Sequence, residues 1–460
     1  MKKDFNYIRQ IAAYGVDKMK KFCSFIILSL VCLLSLSMFA LAAGANSQTN
    51  ESWPMFHNDL AHTGYSTNTG PTSNTTLWVF HTNGEVWSSP IIANGAVYFG
   101  SLDHNVYAVN AKDGKQIWEY TTGDQVYPSA AFYNNVIYIG SDDHNFYALN
   151  AENGSLLWKY TTGGQVQSSA AISNGIAYVG SSDNNLYAFN ATTGSMIWNY
   201  TTGGTVISSP CLANGVVYFG SYDGKLYALD AQTGSEKWSF PTNGNIESSP
   251  AFADGTIYVG SHDNNTYAVN ADTGALEWKV PTGYAGCIQA SPVYVNGVVY
   301  TGDSYNGNVL ALDAKTGATK WNYTTGSFTQ YFNVVTERSA NGKPLSGYVG
   351  NYTISGVYGN AVANDVQYSG ALDNKTYALN AQTGALIWSY QTNGNIYSAP
   401  TVANGVLYFG SDDNNVYAVG QASGGSAIAN VPDMVYIALA VVVVVLVIVV
   451  ALVLLRKRHK

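Results

Sequence analysis

The sequence predicts an all-β fold: an eight-bladed β-propeller of four-stranded antiparallel blades, the ring closed by an N-terminal strand, with a C-terminal transmembrane helix appended. Three observations carry the prediction. A unit typified by Val216 to Trp238 recurs along most of the 460-residue chain. Eight two-residue turns punctuate it, from Asn94-Gly95 to Asn404-Gly405. Eight tryptophans (Trp78, Trp118, Trp158, Trp198, Trp238, Trp278, Trp321 and Trp388) mark its last strand, and they run out of phase with the turns.

Taken in chain order, the first element is a leader. Met19-Lys20-Lys21 precedes an apolar run from Phe22 to Leu41 and then Ala42-Ala43-Gly44-Ala45, the layout of a secretory signal over residues 1–45. Read from Met1 its basic region is unusually long, which points to Met19 as the translation start. An N-terminal extension, 46–76, follows.

The ring is expected over 77–419. In its first unit, Ser88 to Ala93 and Ala96 to Ser101 flank Asn94-Gly95; Val106 to Asn110 and Lys115 to Tyr120 complete four strands. Asn-Gly between alternating apolar runs signals a type I′ hairpin, because that turn needs positive φ twice. The tryptophans are 40 residues apart up to Trp278, then 43, then 67. The eighth unit stops at Tyr417-Ala418-Val419 without a fourth strand, while Leu77 to Phe80 precedes the first hairpin. That spare strand can complete the last blade and remove both exposed sheet edges.

Beyond the ring, 420–433 is a Gly/Ser/Ala-rich tether. Met434 to Leu455 is 22 residues without a charge, about 33 Å as a helix, and 456–460 is a basic tail that should stay cytoplasmic. The expectation is a single-pass cell-membrane protein with its propeller outside. Nine N-x-[ST] sequons suit a surface glycoprotein.

Between Asn46 and Leu455 there are 27 Asp and Glu against 11 Lys and Arg, which excludes nucleic acid as a partner on charge. Outside the leader only Cys211 and Cys287 remain, isolated thiols without metal-ligand spacing.

Tyr227 to Trp238, Tyr-Ala-Leu-Asp-Ala-Gln-Thr-Gly-Ser-Glu-Lys-Trp, resembles the repeat of pyrroloquinoline-quinone (PQQ) propellers, and Trp53 to Ser66 resembles the segment that often precedes the ring in such proteins. The resemblance spans roughly Trp53 to Val419 and implies that each tryptophan docks against the neighbouring blade. The family includes quinoprotein dehydrogenases, the propeller lipoprotein of the outer-membrane assembly machine and surface proteins, so it fixes fold rather than activity. The dehydrogenases usually clamp their quinone with a disulfide between adjacent cysteines, beside calcium and an Asp base. No adjacent cysteines occur here.

Repeated residues build a symmetric ring, so departures from the repeat are the candidates for function. Asp103, Asp143, Asp183, Asp223, Asp263, Asp373 and Asp413 repeat in a Ser-x-Asp turn and read as turn-fixing side chains, without the later carboxylate of a calcium loop. The position two residues before the Ser-Pro that opens the first strand varies: Trp87, Tyr127, Gln167, Ile207, Glu247, Gln289, Val357 and Tyr397. Ring geometry sets these at one level around the channel mouth, where Trp87, Tyr127, Gln167, Glu247, Gln289 and Tyr397 suit a polar, flat or sugar-like ligand. The other departure is an insertion at about 327–355 whose Phe328, Tyr331, Phe332, Arg338 and Tyr352 suit a partner such as an envelope protein or a glycan. No catalytic grouping or metal cluster stands out. The expectation is a cell-surface binding or scaffolding module without a cofactor, the alternative being a PQQ- and calcium-dependent dehydrogenase.

Overall fold

Two left-handed residues are enough to turn the chain back on itself, and they start every blade but one. Asn94 and Gly95 have φ of 51° and 76°, and seven of the eight turns have this doubly positive form. At the remaining one, in blade seven, only Asn364 is left-handed, at 49°. The computed structural model describes residues 52–421 except 68, 283–289, 304–306, 327, 335–347 and 355–356.

Each turn joins a three- to seven-residue inner strand to a second strand, and two further strands follow outward. In blade one they are Ile91–Ala93, Ala96–Gly100, Asn105–Asn110 and Gln116–Thr121. Blades two to seven repeat the order within 131–161, 171–201, 211–241, 251–281, 293–324 and 357–391. Blade eight takes its inner three strands from 401–420 and its outer one from Thr76–His81, with Trp78 opposite Ala418 and Phe80 opposite Val416. The N-terminal strand therefore closes the ring as the phase offset predicts. Inner strands of successive blades neighbour one another all the way round, blade eight meeting blade one.

The core lies between blades. Ile91, Tyr98, Val106 and Trp118 of blade one pack on Val126, Ile137, Ile139 and Tyr147 of the next. Every outer-strand tryptophan docks forward: Trp118 Nε1 donates to Ala151 O at 2.9 Å, Trp198 to Ala231 O at 3.2 Å and Trp78 to Ala111 O at 2.9 Å. A tyrosine of the same blade shares each acceptor, as Tyr178 Oη does with Ala231 O at 2.9 Å. The glycine of the receiving turn must be glycine. At Gly234, φ is 71° and a Cβ would lie 2.7 Å from the Trp198 ring.

The repeated aspartates are consumed by the scaffold. Asp223 accepts from Gly203 N at 2.8 Å, Lys225 N at 3.1 Å and Tyr227 Oη at 2.6 Å. Cys211 is buried, and Cys287 lies outside the described residues.

Strand direction gives the ring two faces. One carries the Asn-Gly hairpins. The other carries the blade-to-blade connections and the Ser-x-Asp turns, and the insertion emerges there, between blades six and seven. Within it Phe328–Val334 pairs antiparallel with Tyr348–Ile354 as a two-stranded hairpin. Among the described residues no helix is long and apolar enough to cross a membrane; the segment 434–455, the leader and the tether lie outside them.

Candidate ligand-binding site

Segment 53–66 changes what the ring can hold. It runs inside the circle of inner strands and bonds to six of the eight. Trp53 exchanges two backbone hydrogen bonds with Ile92, and Pro54 O, Leu60 O, Ala61 O, Thr63 O and Gly64 O accept from Phe132, Leu212, Phe252, Tyr294 and Val362. Tyr65 and Ser66 then pair parallel with the inner strand of blade seven. His57 and His62 are buried in this segment, and Phe56 stacks on His57 with ring centroids 4.0 Å apart. Burial pushes both imidazoles down, with the charge of His62 adding to the effect at His57; His62 falls to about 4. The channel is thus filled from the hairpin side, leaving a cavity on the other face.

That cavity is about 590 Å³, and its lining includes Phe56, Trp87, Tyr127, Gln167, Ile207, Glu247 and Tyr397. Five of the six residues placed at the mouth from sequence are therefore brought together; Gln289 lies outside the described residues. Val357, aligned with these residues from sequence, is fully buried and takes the place of Val126 and Ile396 instead: its N–H bonds to Asp303 O as Val126 N does to Ser101 O. Phe56, from the segment that fills the channel, forms the floor.

A layer of hydroxyls supports the mouth. Ser89 N donates to Ser129 Oγ at 3.1 Å, Ser129 N to Ser169 Oγ at 2.9 Å, and the links continue through Ser209 and Ser249 to Ser291. Ala399 N closes onto Ser89 Oγ at 2.8 Å. The hydroxyls stop at Gly359, where a Cβ would sit 2.2 Å from Ala399 Cα. In blades one to six a buried serine thus fixes the height of the mouth residue two positions earlier.

The rim is aromatic on one side and acidic throughout. Trp87 stacks on Tyr397 at 4.3 Å and meets Tyr127 at 5.3 Å with an interplanar angle of 79°. Trp87 Nε1 donates to Glu85 Oε2 at 3.0 Å, and Tyr127 Oη to Gln125 Oε1 at 2.8 Å. Gln167 Nε2 donates to Asp142 Oδ1 at 3.0 Å. Glu247 accepts from Tyr222 Oη at 2.7 Å and lies 3.3 Å from His262 Nε2. Burial, then the Glu85 charge, pushes the Asp412 carboxyl up to about 7. Burial, then Asp412 and Glu85, pushes Tyr397 up to about 12.

The repeat logic that selects Trp87 and its counterparts passes over this second ring. The middle residue of the Ser-x-Asp turn varies too, as Leu102, Asp142, Ser182, Tyr222, His262, Leu372 and Asp412. Of the insertion residues, Phe328, Tyr331 and Phe332 fall on one strand and Tyr352 on its partner, while Arg338 lies outside the described residues.

A family profile described as outer membrane protein assembly factor BamB matches residues 64–131, 123–209, 202–347 and 340–427. No curated protein sequence matches significantly. Similar solved structures include BamB from Moraxella catarrhalis, 20% identical over 76% of this chain and 99% of that one, with a TM-score of 0.60. The quinohemoprotein alcohol dehydrogenase ADHIIG from Pseudomonas putida is 14% identical over 82% of this chain and 81% of its own, with a TM-score of 0.65. The computationally designed Ika8 protein is 16% identical over 76% and 100%, with a TM-score of 0.59. An assembly factor, a dehydrogenase and a designed protein share the architecture, so these likenesses speak for fold alone.

Proposed function

The chain belongs to the PQQ-like β-propeller family, and on that premise we propose that it is a binding or scaffolding module displayed at the cell surface, which captures a small polar ligand, or a polar group of a larger partner, in the mouth. One observation carries the reading. Residues that depart from the repeat converge on one cavity, whereas the repeated aspartates and tryptophans hold blades together and the repeated serines form the layer behind the mouth residues.

Orientation supports it. The third strand of blade eight, Asn415–Gly420, ends on the hairpin face, where Gly420 N bonds to Thr75 O and Gln421 Nε2 to Thr72 Oγ1. A tether at 420–433 and a membrane helix at 434–455, part of the same proposal, would leave the ring from the face opposite the mouth. An assembly role like that named for BamB would use the mouth face.

The residues present do not fit PQQ. The quinone is a planar tricarboxylate, and the mouth opposes it with Glu85, Asp142, Glu247 and Asp412 and no lining Lys or Arg among the described residues. Nor do any three His, Cys, Asp or Glu side chains among the described residues approach closely enough to share a metal ion. No redox step is therefore derived for this site.

A photo-crosslinking amino acid in place of Tyr127, compared on intact cells with the same group in place of the outer-wall Ile117, tests the reading. Adducts specific to position 127 are expected. Identical adducts from both positions, or none from 127, would overturn it.

A further inference from the structure

Taking the mouth as the binding site, as the reading above does, we propose that its ligand class is a small organic cation, an alkylammonium or guanidinium compound. The first ground is the lining. Phe56, Trp87, Tyr127 and Tyr397 place four aromatic rings around one cavity of about 590 Å³. Ring faces carry negative partial charge, and a cation within about 6 Å of a ring centroid is attracted to it.

The second ground is the carboxylate set. Glu247 lines the cavity directly. Glu85 stands behind Trp87, Asp142 behind Gln167, and Asp412 beside Tyr397, held by backbone to Asn395 O at 2.9 Å. No lining Lys or Arg offsets them among the described residues. Two imidazoles near this rim already approach a carboxylate each, His262 at 3.3 Å from Glu247 and His104 at 3.9 Å from Asp124, and His144 acts on Asp142.

A third observation sharpens the second. The Asn395 and Trp87 side chains serve the Asp412 carboxyl, yet its Oδ1 is buried and has no hydrogen-bond partner. A carboxylate oxygen taken out of water costs free energy unless something positive or donating approaches it. Neighbouring groups report the same negative field: Tyr127, Tyr397 and Asp142 are pushed up by burial first and then by surrounding carboxylates, although Gln167 pulls Asp142 the other way. A neutral sugar would use the rings and add no positive charge to these carboxylates, and an anion would be repelled by them. A cation with an apolar skirt satisfies rings and carboxylates together.

The test is isothermal titration of the full-length chain in detergent with choline, agmatine, the neutral choline analogue 3,3-dimethylbutan-1-ol, methyl glucoside and PQQ. Choline or agmatine should bind about ten-fold or more tightly than the neutral analogue. Trp87→Ala and Glu247→Gln should each weaken that binding by about ten-fold, with melting temperatures held near the parent's. If methyl glucoside or PQQ binds more tightly than both cations and still depends on Trp87, the mouth remains the site and the cation class is wrong. If no probe's binding responds to either substitution, the mouth itself is not the site and both readings fall.

Discussion

The blade-to-blade dock makes a quantitative prediction, because the indole and the turn that receives it can be altered separately. Trp198→Ala removes the N–H donor to Ala231 O and the ring that faces Tyr178 at a centroid distance of 5.8 Å. Truncating a large buried aromatic costs about 3–5 kcal/mol. Trp198 is half-buried and Tyr178 Oη still serves Ala231 O, so the lower end, about 3 kcal/mol, applies. Gly234→Ala has two costs: about 1–2 kcal/mol for a Cβ in the left-handed region, and about 1–3 kcal/mol for crowding the indole from 2.7 Å. In the double variant the crowding disappears and the backbone cost stays. Urea unfolding of the parent, both singles and the double should therefore yield a coupling of about 1–3 kcal/mol, the double being more stable than additivity allows. Additivity within about 0.5 kcal/mol would refute the docking geometry, as would an unchanged melting temperature for Trp198→Ala.

Other consequences follow from buried polar groups. His62 is held neutral, its pKa lowered from 6.5 to about 4, so the unfolded chain binds the extra proton and stability rises with pH across that window. Relative to His62→Gln, the parent should lose about 3 kcal/mol between roughly pH 7 and pH 4; parallel melting curves across that range would contradict the burial. Asp223→Ala should cost about 2 kcal/mol through three lost hydrogen bonds, and millimolar calcium should leave the melting temperature of parent and variant unchanged. A calcium-dependent rise in the parent alone would make the turn a metal site. Phe56→Ala should deepen the mouth and weaken probe binding with little loss of stability by circular dichroism, whereas collapse of the fold would assign Phe56 to the core.

Much of this architecture is legible because each blade repeats its own instructions. The paired left-handed residues at Asn94-Gly95 and its counterparts set the hairpins, and the phase offset of Trp78 reveals the closing strand. The level of Trp87, Tyr127, Gln167, Glu247 and Tyr397 around the mouth follows from the same symmetry. What resists prediction is the contribution of residues outside the repeat. Segment 53–66 contains no strand-length apolar alternation, and its path is set by backbone bonds to six separate blades, which no local pattern encodes. Phe56 therefore reads as part of the N-terminal extension and becomes the floor of the site. Asp142 and Asp412 are hidden for a different reason: each sits beside the structural aspartate of its turn, and only the packing of Glu85, Trp87 and Gln167 gives it a role.

The central claim is that the non-repeated residues of the mouth, and not the repeated tryptophans, meet the ligand. Fluorine NMR of protein carrying 5-fluorotryptophan addresses it directly, since the chain has ten tryptophans and eight of them dock blades. With the Trp87 resonance assigned by Trp87→Phe, titration with choline, agmatine and methyl glucoside should move that resonance and leave the docking tryptophans in place. A stationary Trp87 signal, or shifts concentrated in the docking tryptophans, would contradict the account.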